Sequence, residues 1–348
     1  LVFVLKLEFA LMKRRSLLTG MLATLGLAAA ASFGMAVPPP ATAPAAAGPK
    51  VKKSYTIGVI AKSTSNPFFA PSHTGAKDAA AELSKKLNTS IKIEWRTPVS
   101  EDAQKQAEAI EQLVAAGADG IAVSASDAKV LKSAIDSAVA KGVAVVTFDS
   151  DVPESKRLAY IGVDNFTFGQ GLARELGKAI EGKGTVAILA GNQTAANLQE
   201  RVRGARDVIA KEFKDIKIKD AYYHPENPQD SVKTVEQVQA ANPDINGWIM
   251  VGGWPLMTAN ALDKVKGKAK VVAADALEAQ IEYVKKGEVS VLLAQPVYDY
   301  GFTAVTILMD KIVSNKSPKD PIVKAELVPV TSANAAEYSK NWAKWLGK

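Results

Sequence analysis

The feature that most restricts the fold is an alternation beginning at Tyr55, in which short apolar and β-branched runs are separated by longer amphipathic stretches. Apolar runs without polar alternates suit strands covered on both faces, and the amphipathic stretches suit the crossover helices of a parallel sheet. In the first half the pattern predicts strands over residues 55–61, 91–96, 120–124 and 143–148, with helices over 69–87, 102–116 and 128–141. Gly117 and Gly142 stand where helices should stop. The second half repeats the scheme, with strands over 185–189, 220–223, 247–251, 271–274 and 291–294. Its helices are expected over 166–180, 198–211, 231–241, 256–264, 276–286 and 300–313, followed by a late strand over 325–330. Residues 333–346 read as a terminal helix with Tyr338, Trp342, Trp345 and Leu346 on one face, which suits core packing. The fold class is α/β, and 348 residues hold material for two such units.

Two of the expected strands end alike. "VAVVTFD" stops at Asp149 and "KVVAAD" stops at Asp275. Ligand groups collect at the carboxyl ends of strands in open α/β sheets, so two lobes set edge to edge would aim both carboxylates into one cleft. Helix capping is the alternative. It explains Asp149 less well, because a loop follows; for Asp275, just ahead of "ALEAQIEY", both readings stay open. A second unusual feature is "SNPFF", where neighbouring helical positions point about 100° apart, so Phe68 and Phe69 cannot share one core comfortably.

The amino-terminal region reads as a separate matter. Lys13, Arg14 and Arg15 precede the apolar stretch 17–31, and Gly34-Met35-Ala36 offers small residues for cleavage, so residues 1–36 are expected to be an export signal. Arg14-Arg15 also resembles a twin-arginine signal. Residues 37–53, rich in Pro and Ala, are expected to be a spacer. Removing residues 1–36 takes away four positive charges and one negative, lowering the formal charge from +7 to +4. With charges interspersed, that excess is no nucleic-acid footprint. No cysteine is present, so neither disulfides nor a lipid-bearing cysteine is available.

Six stretches then occur in one order: "SNPFF", "GVAVVTFDSD", "YIGVDNFTFGQ", "NLQERVRGARD", "VVAADA" and "LAQPVYDYG". Together they resemble the periplasmic sugar-binding proteins of ABC importers, of the ribose-binding type, over most of residues 54–330. The resemblance implies the type I periplasmic-binding-protein fold, two Rossmann-like lobes joined by a three-segment hinge and closing on a sugar. It places the N-terminal lobe at 54–163 plus 296–325 and the C-terminal lobe at 164–295 plus 326–348. It carries ligand contacts onto Asn66, Phe68, Phe69, Asp149, Arg201, Asp275 and Gln295. It also implies a periplasmic monomer without cofactor or catalytic residue, which passes its ligand to an ABC transporter membrane permease and binds no nucleic acid.

The sequence departs from the ribose pattern at two places. Ribose binders follow the fourth-strand aspartate with arginine, whereas Asp149 is followed by Ser150 and Asp151, which adds Asp151 to the candidates. This "TFDSDVP" looks more like relatives that bind rhamnose or a furanosyl signal. Gly252-Gly253-Trp254 stand where that type has asparagine and aspartate, so Trp254 is a further candidate, for stacking on the ligand, closing the pocket or simple packing. Trp95 and Arg96 end the second strand and are weaker additions. The ligand class is therefore a small sugar, deoxysugar, polyol or furanosyl signal. Planar fixed groups such as Asp, Asn, Gln and Arg grip paired hydroxyls, and an aromatic ring suits a sugar's C–H face.

Rival functions find less support. The two histidines, His73 and His224, lack an acidic partner at motif spacing, and neither G-x-S-x-G nor H-E-x-x-H occurs. A sugar-responsive transcription regulator would need a helix-turn-helix where this chain has a signal and spacer. A receptor for chemotaxis or sensing remains the alternative role.

Overall fold

The computed structural model describes residues 51–347; the expected export signal and residues 37–50 of the spacer lie outside them. In the first sheet, β1 (Ser54–Ile60), β2 (Ser90–Trp95), β3 (Gly120–Val123), β4 (Ala144–Phe148) and β5 (Ala159–Gly162) are linked by α1 (Ala70–Leu87), α2 (Ala103–Ala115) and α3 (Ala128–Ala140). β3 and β5 are buried along their whole lengths, as strands covered on both faces must be. Aspartates start the helices: Asp102 accepts from the Lys105 amide and Asp127 from the Lys129 and Val130 amides, satisfying donors that the first turn leaves free.

The chain then crosses to the second sheet through α4 (Asn165–Ala179). It continues through β6 (Lys183–Gly191), α5 (Ala196–Glu212), β7 (Asp215–Tyr223), α6 (Pro228–Ala241), β8 (Ile245–Met250), β9 (Lys270–Ala274), α7 (Glu278–Lys285) and β10 (Val291–Ala294). α8 (Val297–Ser314) returns to the first sheet, where β11 (Ile322–Lys324) pairs with β5. β12 (Val328–Val330) closes the second sheet, before α9 (Ala335–Ser339) and α10 (Asn341–Trp345). Strand orders are β11-β5-β4-β3-β1-β2 and β12-β10-β9-β8-β6-β7, the same winding executed twice. Among the described residues every strand pairing is parallel except that of β10 with β12. In each sheet the order reverses beside the first strand, the switch point at which such folds open a crevice.

The pattern misled at five places. The helix expected over 256–264 is a single 3-10 turn, Pro255–Met257, followed by turns; Thr258 is extended and Asn260 is left-handed at φ 61°, so the helix cannot continue. Ala261, Leu262 and Val265 are buried at helix-like spacing, which produced the false signal. Of the late strand expected over 325–330 only β12, Val328–Val330, is strand; residues 325–327 form the third crossing, which leads from β11 of the first sheet to β12 of the second. The terminal helix over 333–346 is two short helices divided at Lys340. β5 was legible only as part of a crossing stretch, and β7 begins earlier than the strand expected over 220–223, because its exposed residues alternate with buried ones.

Close helix packing fixes the second lobe. A Cβ on Gly169 would lie 1.9 Å from the Arg201 carbonyl oxygen, and one on Gly204 would lie 2.0 Å from that of Phe166. Only glycine lets α4 and α5 approach so closely, and this contact sets the height from which Arg201 projects.

Candidate functional site

The site forms where the carboxyl ends of the two sheets face each other. Asp149 follows β4 and Asp275 follows β9, and both adopt left-handed backbone, with φ 58° and 70°. That region is unfavourable for side-chain-bearing residues and is tolerated where the surroundings enforce it, commonly at functional sites. Asp149 is 4% exposed and Asp275 8%. Ser124, just past β3, donates to Asp149 Oδ2 at 2.8 Å, and Gln295, just past β10, donates to Asp275 Oδ1 at 2.8 Å. Burial raises both carboxyl pKa values, opposed at Asp149 by Lys62 and Arg201 and at Asp275 by Arg201 and the Gln295 hydrogen bond.

Arg201, from α5, is 2% exposed and each of its three side-chain nitrogens donates one hydrogen bond within the protein, which leaves one further N–H on each terminal nitrogen. Its Nε donates to Asn165 Oδ1 at 2.8 Å, one terminal nitrogen to the Val251 carbonyl at 2.9 Å and the other to Gln295 Oε1 at 3.2 Å. The Phe168 ring lies 4.1 Å beneath the guanidinium. Tyr300 also donates to Gln295 Oε1, at 3.1 Å. Gln295 therefore joins Arg201 to Asp275 and cannot rotate without breaking both links.

Asn66 caps the 3-10 turn Pro67–Phe69 by accepting from the Phe68 amide at 3.0 Å. Its carbonyl oxygen is thereby occupied and its amide donors remain for the cavity. Phe68 and Phe69 are both buried, edge to face with centroids 4.9 Å apart. Trp254 is 4% exposed, with His224 edge-on at 5.0 Å. A Cβ on Gly252 would lie 2.3 Å from the indole, so that glycine is what admits the ring.

Eight of the nine residues singled out from sequence line one small cavity: Asn66, Phe68, Phe69, Asp149, Arg201, Trp254, Asp275 and Gln295. Asp151 stands apart. Arg157 grips its carboxylate through two 2.5 Å bonds, Thr147 Oγ1 donates at 2.5 Å and the Val152 amide at 2.7 Å, which leaves Asp151 as a tie within the loop after β4. Trp95, one of the weaker candidates, stacks on His73 at 4.4 Å in a neighbouring groove with Phe69 and Leu346. Free space in the main cavity is about 30 Å³, room for roughly two waters. Anything larger enters only when the lobes part.

Sequence reasoning missed Lys62, Asn197 and Glu226, which also line the cavity. Lys62 follows β1 and Glu226 follows β7; they face each other across the cleft at 3.6 Å, with side chains 2% and 4% exposed. Ser150 Oγ donates to Asn197 Oδ1 at 3.5 Å, a second bridge between lobes. Burial alone would push the Lys62 pKa down, but Glu226, Glu101 and Asp149 outweigh it and hold it above the usual lysine value. Glu101, ahead of α2, is pushed up to about 8 by burial, with the negative charges of Glu226 and Asp149 adding and Lys62 opposing. Both Glu101 carboxyl oxygens and Glu226 Oε1 lack hydrogen-bond donors in the protein, and a proton on Glu101 would let one of its oxygens donate to Glu226. The signal available was position: Lys62 and Glu226 lie just past strand carboxyl ends, and Asn197 lies in the first turn of the helix that follows β6.

Among the described residues no cluster of metal-ligating side chains occurs, and no helix is long and apolar enough to cross a membrane. What remains is a closed, polar, aromatic-walled cavity between two lobes of repeated topology, the architecture of a binding protein that shuts around a solute. The chain belongs to the periplasmic binding protein family, whose domain matches residues 57–316. It is 26% identical to the ribose import binding protein of Bacillus subtilis, over 70% of this chain and 77% of that one. It is 28% identical to the D-allose-binding periplasmic protein of Escherichia coli, over 78% and 89%. Among solved structures, an ABC transporter solute-binding protein of Burkholderia graminis in complex with D-arabinose superposes with a TM-score of 0.75, at 30% identity, over 82% of this chain and 97% of that one.

Proposed function

We propose that this protein is an exported, periplasmic, monomeric receptor that captures one neutral sugar or sugar-like molecule between its lobes and delivers it to the permease of an ABC transporter. The observation that carries the reading is the facing pair of strand-terminal aspartates, buried in strained backbone beside an aromatic wall, with Asp149 held by Ser124 and Asp275 linked through Gln295 to Arg201. Fixed carboxylates and a guanidinium accept from and donate to adjacent hydroxyls, and a hydroxyl missing from the ligand would leave a buried partner unpaired at about 1–3 kcal/mol. The ribose and D-allose relatives and the D-arabinose complex support aldoses as the first compounds to try. A deoxysugar, polyol or furanosyl signal fits the same chemistry.

Ligand contact is proposed for the eight cavity residues named above, and not for Asp151. Closure is driven by a ligand that bridges both lobes and so favours the closed state over the open one. Calorimetry and thermal melting over pentoses, deoxyhexoses, hexoses and polyols test this. The reading requires one saturable site for at least one of them, and it fails if none binds.

A further inference from the structure

The terminal helices α9 and α10 touch both lobes. From the second lobe, Ala276, directly after Asp275, accepts from Trp342 Nε1 at 3.1 Å. Toward the first lobe, Gly347 lies beside Thr74 of α1, and Leu346 shares a groove with Asn66, Phe69 and His73. Lys344 Nζ stands 5.4 Å above the Tyr298 ring of α8. Trp345 is edge-on to both Tyr338 and Trp342, at 5.4 and 5.3 Å, so the three rings form one block.

That block stands against the ligand site. Tyr338, Trp342 and Trp345 line, together with Phe68, Asp275 and Gln295, a space with only about 10 Å³ free, too little to seat a water comfortably. The charge of Asp275 reaches the Tyr338 hydroxyl, whose pKa is raised by burial and by that carboxylate. On this flank the cavity wall is therefore dry and backed by aromatic rings. On the opposite side of Phe69, the groove by Trp95 and His73 keeps about 270 Å³.

We propose that α9–α10 is a clip joining the lobes over one flank of the cleft, with Trp342 and Trp345 acting as positioning residues for Asp275 and Phe68. The clip narrows the substrate class to a single sugar ring carrying no substituent toward this flank, and it slows release. The ligand part of the inference rests on the proposed function; the joining of the lobes does not. A block that contacts both lobes must lose one set of contacts when they separate, so it opposes opening more than closing.

Two variants test the clip, Trp345→Ala and Trp342→Phe, the second removing the indole donor while retaining an aromatic ring. Small-angle scattering of the ligand-free proteins reads the lobe equilibrium, and stopped-flow mixing with the tightest-binding sugar reads rates. For Trp345→Ala we expect a larger radius of gyration and release faster by about tenfold, with association changed by less than about threefold, since interface changes act mainly on dissociation. Trp342→Phe should show the same signs with a smaller change. Measurable binding of a disaccharide by Trp345→Ala, absent in the unsubstituted protein, would further support the size limit. An unchanged radius of gyration together with unchanged release in a folded Trp345→Ala protein overturns the clip. If the unsubstituted protein binds no sugar, the proposed function fails, and scattering alone decides the clip: an unchanged radius overturns it.

Discussion

Closure of the lobes should take up a proton, and ligand affinity should record it. Glu101 has an ordinary carboxyl pKa of 4.5 when hydrated and is pushed up to about 8 in the closed protein, where Glu226 faces it from the other lobe. A raised carboxyl favours the closed state when protonated; that advantage is full below 4.5 and is lost as pH rises through 8. Within the window each pH unit weakens closure by about 1.36 kcal/mol, or tenfold, and the slope flattens near the upper value. Affinity should therefore fall by about tenfold between pH 7 and 9 and by about a hundredfold between pH 6 and 9. The other titrating groups can be separated from this effect. The Lys62 pKa is raised, so that residue stays charged throughout, and burial lowers that of His224, which therefore acts on the acid side. Asp149 and Asp275 are raised with the same sign as Glu101, so Glu101→Gln is needed to isolate its share. Calorimetry at pH 6, 7, 8 and 9 in two buffers of different ionisation enthalpy gives both affinity and protons taken up. The expected results are uptake of about one proton at pH 7 and a shallower profile for Glu101→Gln. A flat profile without proton uptake, or an identical profile in the variant, refutes the reasoning.

Other consequences are more direct. Asp149→Ala and Asp275→Ala each remove a buried acceptor from one lobe and should weaken sugar binding by about a hundredfold or more, read by calorimetry, while Asp151→Ala should weaken it by less than about threefold. Arg201→Lys keeps the charge but loses the fork that holds Asn165, Val251 and Gln295 together, so affinity should drop by roughly a hundredfold. Gly169→Ala forces a methyl against the Arg201 backbone and should destabilise the protein by about 1–3 kcal/mol, seen as a lower denaturant midpoint.

Much of the fold was legible because buried parallel strands write themselves as apolar runs, and the aspartates ending "VAVVTFD" and "KVVAAD" are legible as strand-terminal carboxylates at the facing sheet ends. The adjacent phenylalanines were legible as a question, and the structure answers it: Phe68 faces the terminal aromatic block and Phe69 the Trp95 groove. Periodicity failed where burial imitates helical spacing without helical backbone, as at Ala261, Leu262 and Val265. It also failed over residues 322–330, where one extended run serves two sheets, β11 ending at Lys324 and β12 beginning at Val328. Lys62, Asn197 and Glu226 escaped because their partners are remote in sequence: Lys62 reads as a surface charge until the second lobe brings Glu226 within 3.6 Å. Asp151 misled in the opposite sense, since a local arginine, Arg157, consumes its carboxylate before the cleft can.

The central claim is that two lobes close on one neutral sugar through Asp149 and Asp275. Its most direct test is a thermal-melting and calorimetric comparison of the unsubstituted protein with Asp149→Ala and Asp275→Ala, using ribose, allose and arabinose first. A ligand at a hundred times its Kd adds about 2.7 kcal/mol, a rise of several degrees in Tm for a protein of this size. The account predicts that rise, with one-to-one stoichiometry, in the unsubstituted protein and its loss in both variants. No stabilisation by any neutral sugar, or undiminished binding after either aspartate is removed, would contradict it.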